Sequence, residues 1–288
     1  MTITIQTSTD QSGPYAPNSP PLDERSLYLR KLVLRGLEGG GRGHIGSSMS
    51  PIEVLRVLYD DIMQYRPNEP KWDDRDRFIL SKGHGCLAQY ALLADKGFVS
   101  MADLDKFCMR DGILGGHPEA GKIPGVEAST GALGHGLPIA VGLALAARIK
   151  KKPHKVWVVM GDGETNEGSV WEAAMSAGKH KLSNLIAIVD YNKLQSFGPT
   201  AEVQDMEPFA DKWRAFNFAV AEVDGHDVEA LRRLFKSAPL DPNKPTAVIA
   251  HTVKGKGIPF AEFKADWHHK AKLAPNEIEA LYDVLGGR

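Results

Sequence analysis

The sequence predicts an α/β protein, a mostly parallel sheet with helices on both faces. Three observations carry that prediction. Residues 155–160, 185–189 and 246–250 are almost unbroken apolar runs, which suits strands buried on both faces. Segments of helical periodicity, 169–180 and 228–235, stand between them. A chain of 288 residues with 42% hydrophobic and 25% charged side chains is globular and long enough to bury a sizeable core. Strands alternating with helices then imply parallel neighbours joined by crossovers.

The elements follow in order. Residues 1–21 are mostly Thr, Ser, Gln, Pro and Asn and read as a flexible tail, leaving 22–288 as a single domain. A helix is expected from near Asp23 through Leu27, Leu32, Leu34 and Leu37, stopping at Gly39-Gly40-Gly41. The next helix has a capping pattern: Ser50 as N-cap, Pro51 at the first helical position and Glu53 closing a capping box. Residues 78–80 form a short strand ending in Ser81-Lys82-Gly83-His84-Gly85, and 87–93 are helical. Residues 110–136 carry eight glycines without periodicity, and loops of that length inside a compact domain are usually functional. A small-residue apolar helix is expected over 137–149, and 254–260 read as loop or interface material.

Several classes are excluded. Lys plus Arg number 35 against 36 for Asp plus Glu, a net charge of −1, so the chain is not a general nucleic-acid or anionic-membrane binder. Cys86 and Cys108 make no disulfide framework and read as reduced thiols. No apolar run approaches the ~18 residues of a membrane span, and the N-terminus lacks a secretory pattern. The expected location is cytoplasmic.

The chemistry sits after two strands. Residues 155–160 run into Gly161-Asp162-Gly163, and 185–189 into Asp190-Tyr191-Asn192-Lys193. Loops leaving the carboxyl ends of parallel strands are where open α/β sheets bind ligands. Asp162 offers a carboxylate oxygen and Asn192 an amide oxygen, donors that Mg²⁺ accepts alongside a diphosphate. Gly161 and Gly163 let the backbone approach that anion, and the following helix N-terminus favours it. Gly-Asp-Gly alone is a common turn. The second loop, with 28 residues between Gly163 and Asn192, makes the pair resemble the thiamine-diphosphate fingerprint.

Five segments narrow that resemblance to transketolases, in their N-terminal, diphosphate-binding half. They are Gly43-His44-Ile45-Gly46, Leu80-Ser81-Lys82-Gly83-His84 and Gly115-Gly116-His117-Pro118-Glu119. Then come Ser129-Thr130-Gly131-Ala132-Leu133-Gly134 and Gly161-Asp162-Gly163-Glu164-Thr165-Asn166-Glu167-Gly168. The resemblance covers residues 25–275 and implies a thiamine-diphosphate-binding fold. It further implies that Asp162, Asn192 and the Leu194 carbonyl hold Mg²⁺, with Ca²⁺ or Mn²⁺ as substitutes. His84, Gly131, Leu133, Gly161, Gly163 and Glu164 join Asp162 and Asn192 around thiamine diphosphate. His44 and His268 move protons at the sugar hydroxyls, His117 holds the terminal hydroxyl of a two-carbon unit, and Glu167 belongs to a carboxylate network between two active sites. His154, His180, His226, His251 and His269 read as structural or surface residues. The chain departs from the family pattern where Arg42 replaces a Ser before Gly-His, where His135 replaces a Gln, where Pro138 replaces a small polar residue, and where His269 replaces a Gly after His268. Arg42 reads either as an anion contact or as a solvated charge.

Only 96 residues follow Asn192, too few for a second domain of roughly 150. In the family, that domain supplies the glutamate at the aminopyrimidine ring. The expectation is therefore one half of a split transketolase, completed by a C-terminal subunit carrying the pyrimidine-binding domain in an α₂β₂ assembly. Its reaction transfers a two-carbon ketol unit from a ketose phosphate to an aldose. The alternatives are the α chain of a thiamine-dependent 2-oxoacid dehydrogenase, and a non-catalytic binding subunit on the same fold.

Overall fold

Strand β1 (Arg77–Leu80) and strand β2 (Val156–Gly161) lie beside β3 (Leu185–Tyr191), with β4 (Ala219–Asp224) and β5 (Thr246–His251) completing the sheet. The computed structural model describes residues 19–288; most of the tail expected over 1–21 thus lies outside the described residues. The strand order is β1-β2-β3-β5-β4 and every pairing is parallel. Successive side chains of a strand point to opposite faces. In β2, Trp157 and Val159 join one core, and Val156, Val158 and Met160 join the other. That double burial explains the unbroken apolar runs.

Helix α1 (Glu24–Gly40) starts on Asp23, whose carboxylate accepts from the Ser26 N–H at 2.8 Å, and closes on Gly41 in the left-handed conformation. The short α2 (Ile45–Met49) leads to α3 (Ile52–Val57), which widens into a π-helical turn over Leu58–Ile62. The expected capping box does not form here. Ser50 donates its hydroxyl to Asp190 at 2.5 Å, and Glu53 is fully buried against Arg30 and His226. Both residues are committed to long-range partners below the sheet's carboxyl edge, which outweigh a local cap.

Helices α4 (Cys86–Asp95) and α5 (Met101–Leu104) pack with α1 and α3 on the first face. On the second lie α6 (Gly136–Ile149), α7 (Gly168–Lys179) and α9 (Phe209–Ala215), while the short α8 (Thr200–Val203) buries no residue. Helix α10 (Val228–Lys236) returns to the first face, and α11 (Pro275–Asp283) closes against α1. The sequence reading did not identify β4, α9 or α11. β4 lies at one edge of the sheet and is mostly half-buried, so its small and acidic residues give no apolar run.

Candidate active site at the carboxyl ends of two central strands

Register sets the site. Gly161 faces Asp190 across the β2–β3 ladder, so the Asp162 and Asn192 loops emerge side by side. Asp162 ties them together: it accepts from the Gly163 N–H at 2.7 Å and from the Lys193 N–H. Asn192 Oδ1 accepts from the Leu194 N–H at 3.2 Å, and the Leu194 carbonyl accepts from Lys254 Nζ at 2.5 Å. Burial, with Asp190 nearby, pushes the Asp162 carboxyl up to about 6.

Beneath this pair lies a buried charge network that sequence reasoning missed. Asp190 accepts from Lys82 Nζ, Ser50 Oγ and Thr252 Oγ1. Burial works against its ionised form, but the Lys82 charge and these hydrogen bonds hold the Asp190 carboxyl below its ordinary value. Lys254, read from sequence as loop or interface material, is 2% exposed and faces the cleft. Burial lowers its ammonium to about 8. Lys82 stands inside the second of the five motifs, while Lys254 carries no spacing signal of its own.

Four of the predicted histidines converge. The His44 ring centroid is 5.3 Å from His84, 5.4 Å from His268 and 6.4 Å from His117, and His84 is 5.4 Å from His268. His44, His84 and His268 line a cleft of about 370 Å³ with Gly131, Leu133, Gly161, Asp162, Gly163, Glu164, Glu167, Asn192 and Leu194. His117 lines an adjoining cavity of about 400 Å³, and His44 forms the wall shared by both. His269, expected to be structural, is also here, its ring 4.4 Å from His44. His226 does have a structural role: it is buried, bonded to Glu53 and accepting from the Val253 N–H.

Glu164 braces the site. Its carboxylate accepts from Ser81 Oγ and from the Gly134 and Gly161 N–H groups, joining three loops. Glu167 is exposed at the start of α7, on the rim of the cleft. Gly131 has φ 131°, and a Cβ there would meet the His117 ring at 2.8 Å. Gly131→Ala is expected to lower stability by about 1–3 kcal/mol through backbone strain and to push His117 aside. A thermal melt compared with wild type checks the first effect, and an unchanged melting point would contradict it.

Burial, followed by neighbouring imidazoles and lysines, lowers His44 to about 4. Burial and Lys254 lower His268 to about 3, and burial and Lys82 hold His84 well below the usual imidazole value. The unfolded chain protonates these rings near 6.5. It therefore takes up more protons than the folded chain as pH falls below that value. Their contribution to stability is present above about pH 6.5 and is lost as pH falls toward 4. Among the groups of the cleft, Asp162 and Glu164, both raised by burial, oppose this trend with two groups against three. Urea midpoints for the cofactor-free chain are expected to drop between about pH 7 and 5; a flat or rising midpoint would contradict this.

The donor set fits an anionic cofactor with a cation. Two buried lysines face the cleft, while His268 Nδ1 and Gln195 Nε2 are buried there without a hydrogen-bond partner. The buried Asp162 carboxylate supplies the hard oxygen a divalent metal takes.

The family model "Transketolase, thiamine diphosphate binding domain" matches residues 24–288. The chain is 46% identical over 263 residues to an apulose-4-phosphate transketolase subunit from Phocaeicola vulgatus, covering 91% of this chain and 93% of that protein. It is 41% identical over 248 residues to 6-deoxy-6-sulfo-D-fructose transketolase subunit SqwG of a Clostridium species, covering 86% and 90%. A transketolase structure from Leishmania mexicana superposes with a TM-score of 0.85 at 34% identity, over 93% of this chain and 42% of that one. These matches are to transketolases, the reading the sequence puts first. The chain belongs to the transketolase family, of which it carries the thiamine-diphosphate-binding domain.

Proposed function

We propose that the chain is the diphosphate-binding subunit of a split transketolase. A second chain with the pyrimidine-binding domain completes each active site, in an α₂β₂ assembly. The observation that carries this reading is the pairing of the Asp162 and Asn192 loops beneath a ring of histidines. Two relatives named as transketolase subunits match along nearly their whole length, which supports a separate partner chain. Helices α6 and α7 expose Ile139, Ile149 and Met175.

When bound, thiamine diphosphate supplies an electron sink for the two-carbon fragment of a ketose. Asp162, Asn192 and the Leu194 carbonyl hold Mg²⁺, with Ca²⁺ or Mn²⁺ as substitutes. Lys254, His84 and the Gly163 N–H take diphosphate oxygens, and Gly131 and Leu133 shape the channel. His44 and His268, both held neutral, exchange protons with the sugar hydroxyls. His117 holds the terminal hydroxyl. The names of the relatives point to a phosphorylated or sulfonated sugar as substrate. A cytoplasmic location agrees with two free thiols and with the absence, among the described residues, of a helix able to cross a membrane.

Reconstituted with its partner, the protein is expected to transfer ketol units from a ketose phosphate to an aldose without decarboxylating 2-oxoacids. Cofactor binding without any transfer would instead mark a non-catalytic subunit.

A further inference from the structure

Arg30, Glu53 and His226 are buried, and the chemistry above uses none of them. A buried ion pair is weak evidence for stability, because apolar side chains of similar volume often do as well. What these three side chains hold is more informative. Arg30 grips the Glu53 carboxylate with both terminal nitrogens, at 2.5 and 3.0 Å, and its Nε donates to the Lys256 carbonyl at 2.8 Å. His226 Nε2 accepts from the Val253 N–H at 2.8 Å. A backbone N–H can only donate, so Nε2 is unprotonated and Nδ1 carries the ring proton, which it donates to Glu53 at 2.8 Å. One carboxylate thus fixes a guanidinium and an imidazole, and these two take the backbone on either side of Lys254. Residues 252–257 belong to no helix or strand, so side-chain tethers stand in for ladder hydrogen bonds there. The fit is close: Gly257 has φ 91°, and a Cβ on it would meet Arg30 Cδ and Nε at 3.0 Å. Lys254 itself reaches the Leu194 carbonyl at 2.5 Å and lines the cofactor cleft.

We propose that Glu53, Arg30 and His226 are positioning residues that set Lys254 for the diphosphate of the cofactor. They touch neither cofactor nor substrate and act through the backbone at Val253 and Lys256. Loosening that backbone lets the Lys254 ammonium leave the cleft. Cofactor affinity then falls, while turnover at saturating cofactor, which depends on other groups, does not. The proposal rests on the thiamine-diphosphate reading above.

The test uses the enzyme reconstituted with its partner. Calorimetry at saturating Mg²⁺ gives the dissociation constant of thiamine diphosphate, and it is read beside kcat at saturating cofactor and amide exchange of segment 253–257. His226→Asn keeps an N–H near the Nδ1 position for Glu53 and removes the acceptor from Val253. It is expected to weaken cofactor binding about tenfold, the size of one buried N–H left unpaired, and to speed exchange at Val253 with kcat little changed. His226→Gln places an amide oxygen near the Nε2 position and is expected to recover most of that affinity. Glu53→Gln, which releases Arg30 as well, should weaken binding at least as much as His226→Asn. Should Glu53→Gln fail to fold, the two His226 variants decide alone. The comparison is Leu182→Ala, fully buried just before β3 at the end of the sheet away from the cleft, which should lower the melting point without moving the constant. An unchanged constant for His226→Asn, with a melting point lowered like that of Leu182→Ala, overturns the positioning role and leaves the three residues structural. Equal losses of affinity for His226→Asn and His226→Gln also overturn it, since the acceptor for Val253 would then not matter. No binding of thiamine diphosphate by the unmodified enzyme overturns the functional reading and the proposal with it.

Discussion

Asp162→Ala is expected to abolish ketol transfer by the reconstituted enzyme, lowering kcat/KM by at least about 100-fold. The size follows from two losses that share one side chain. Asp162 is the only carboxylate among the three oxygens proposed above as metal ligands, and ligand loss typically costs a metal site more than the 10–100-fold seen for outer-shell changes. Its two oxygens also accept from the Gly163 and Lys193 N–H groups, which keeps the loops after β2 and β3 in register. Asp162→Asn retains the size and one acceptor oxygen, so it is expected to keep the contact between the loops to the Lys193 N–H, to give up the one to Gly163, and to lose metal affinity. The discriminating measurement is transfer activity across a Mg²⁺ titration. Asp162→Asn should need far more metal, and Asp162→Ala should not be rescued by any concentration. Activity of Asp162→Ala with the wild-type metal dependence would remove Asp162 from the metal site.

Lys82→Met is expected to cost about 3–5 kcal/mol of stability, the usual penalty for removing one partner of a buried ion pair. Both side chains are about 1% exposed, and the pair lies directly under the cofactor cleft. The cost comes from Asp190, which stays buried with only Ser50, Thr252 and Asn192 as hydrogen-bond partners. Without the ammonium its carboxyl rises and takes up a proton, so the penalty should be greatest at high pH. Lys82→Met combined with Asp190→Asn removes both charges and is expected to recover most of the stability. Chemical denaturation of the two variants separates the accounts. Equal losses in both would mean that packing, not the unpaired charge, sets the cost.

The parts of the fold that were legible in sequence are those buried on both sides. β2, β3 and β5 each show six or seven fully buried residues, and their apolar runs carried the α/β reading. β4 was not legible because an edge position asks little of its side chains. The Ser50 capping pattern misled because a serine that can cap a helix can equally donate to a buried aspartate. The local pattern does not contain Asp190, 140 positions away. In the site, Asp162 and Asn192 were readable because they follow two buried strands, and His44, His84 and His117 because each follows a glycine in a loop. Lys254 and His269 were not. Their place depends on the 254–270 segment folding back over α2 and Gly43, a contact with no sequence period.

The central claim is that this chain supplies half of a two-chain, thiamine-diphosphate-dependent ketol transferase. Native mass spectrometry of the protein purified from its own source, with Mg²⁺ and thiamine diphosphate present, tests it most directly. The account predicts a complex of two copies of this 31.4 kDa chain with two copies of a second chain of about 30–35 kDa, the size of two domains, each pair retaining one cofactor. A monomer or homodimer with no second chain and no cofactor would contradict it.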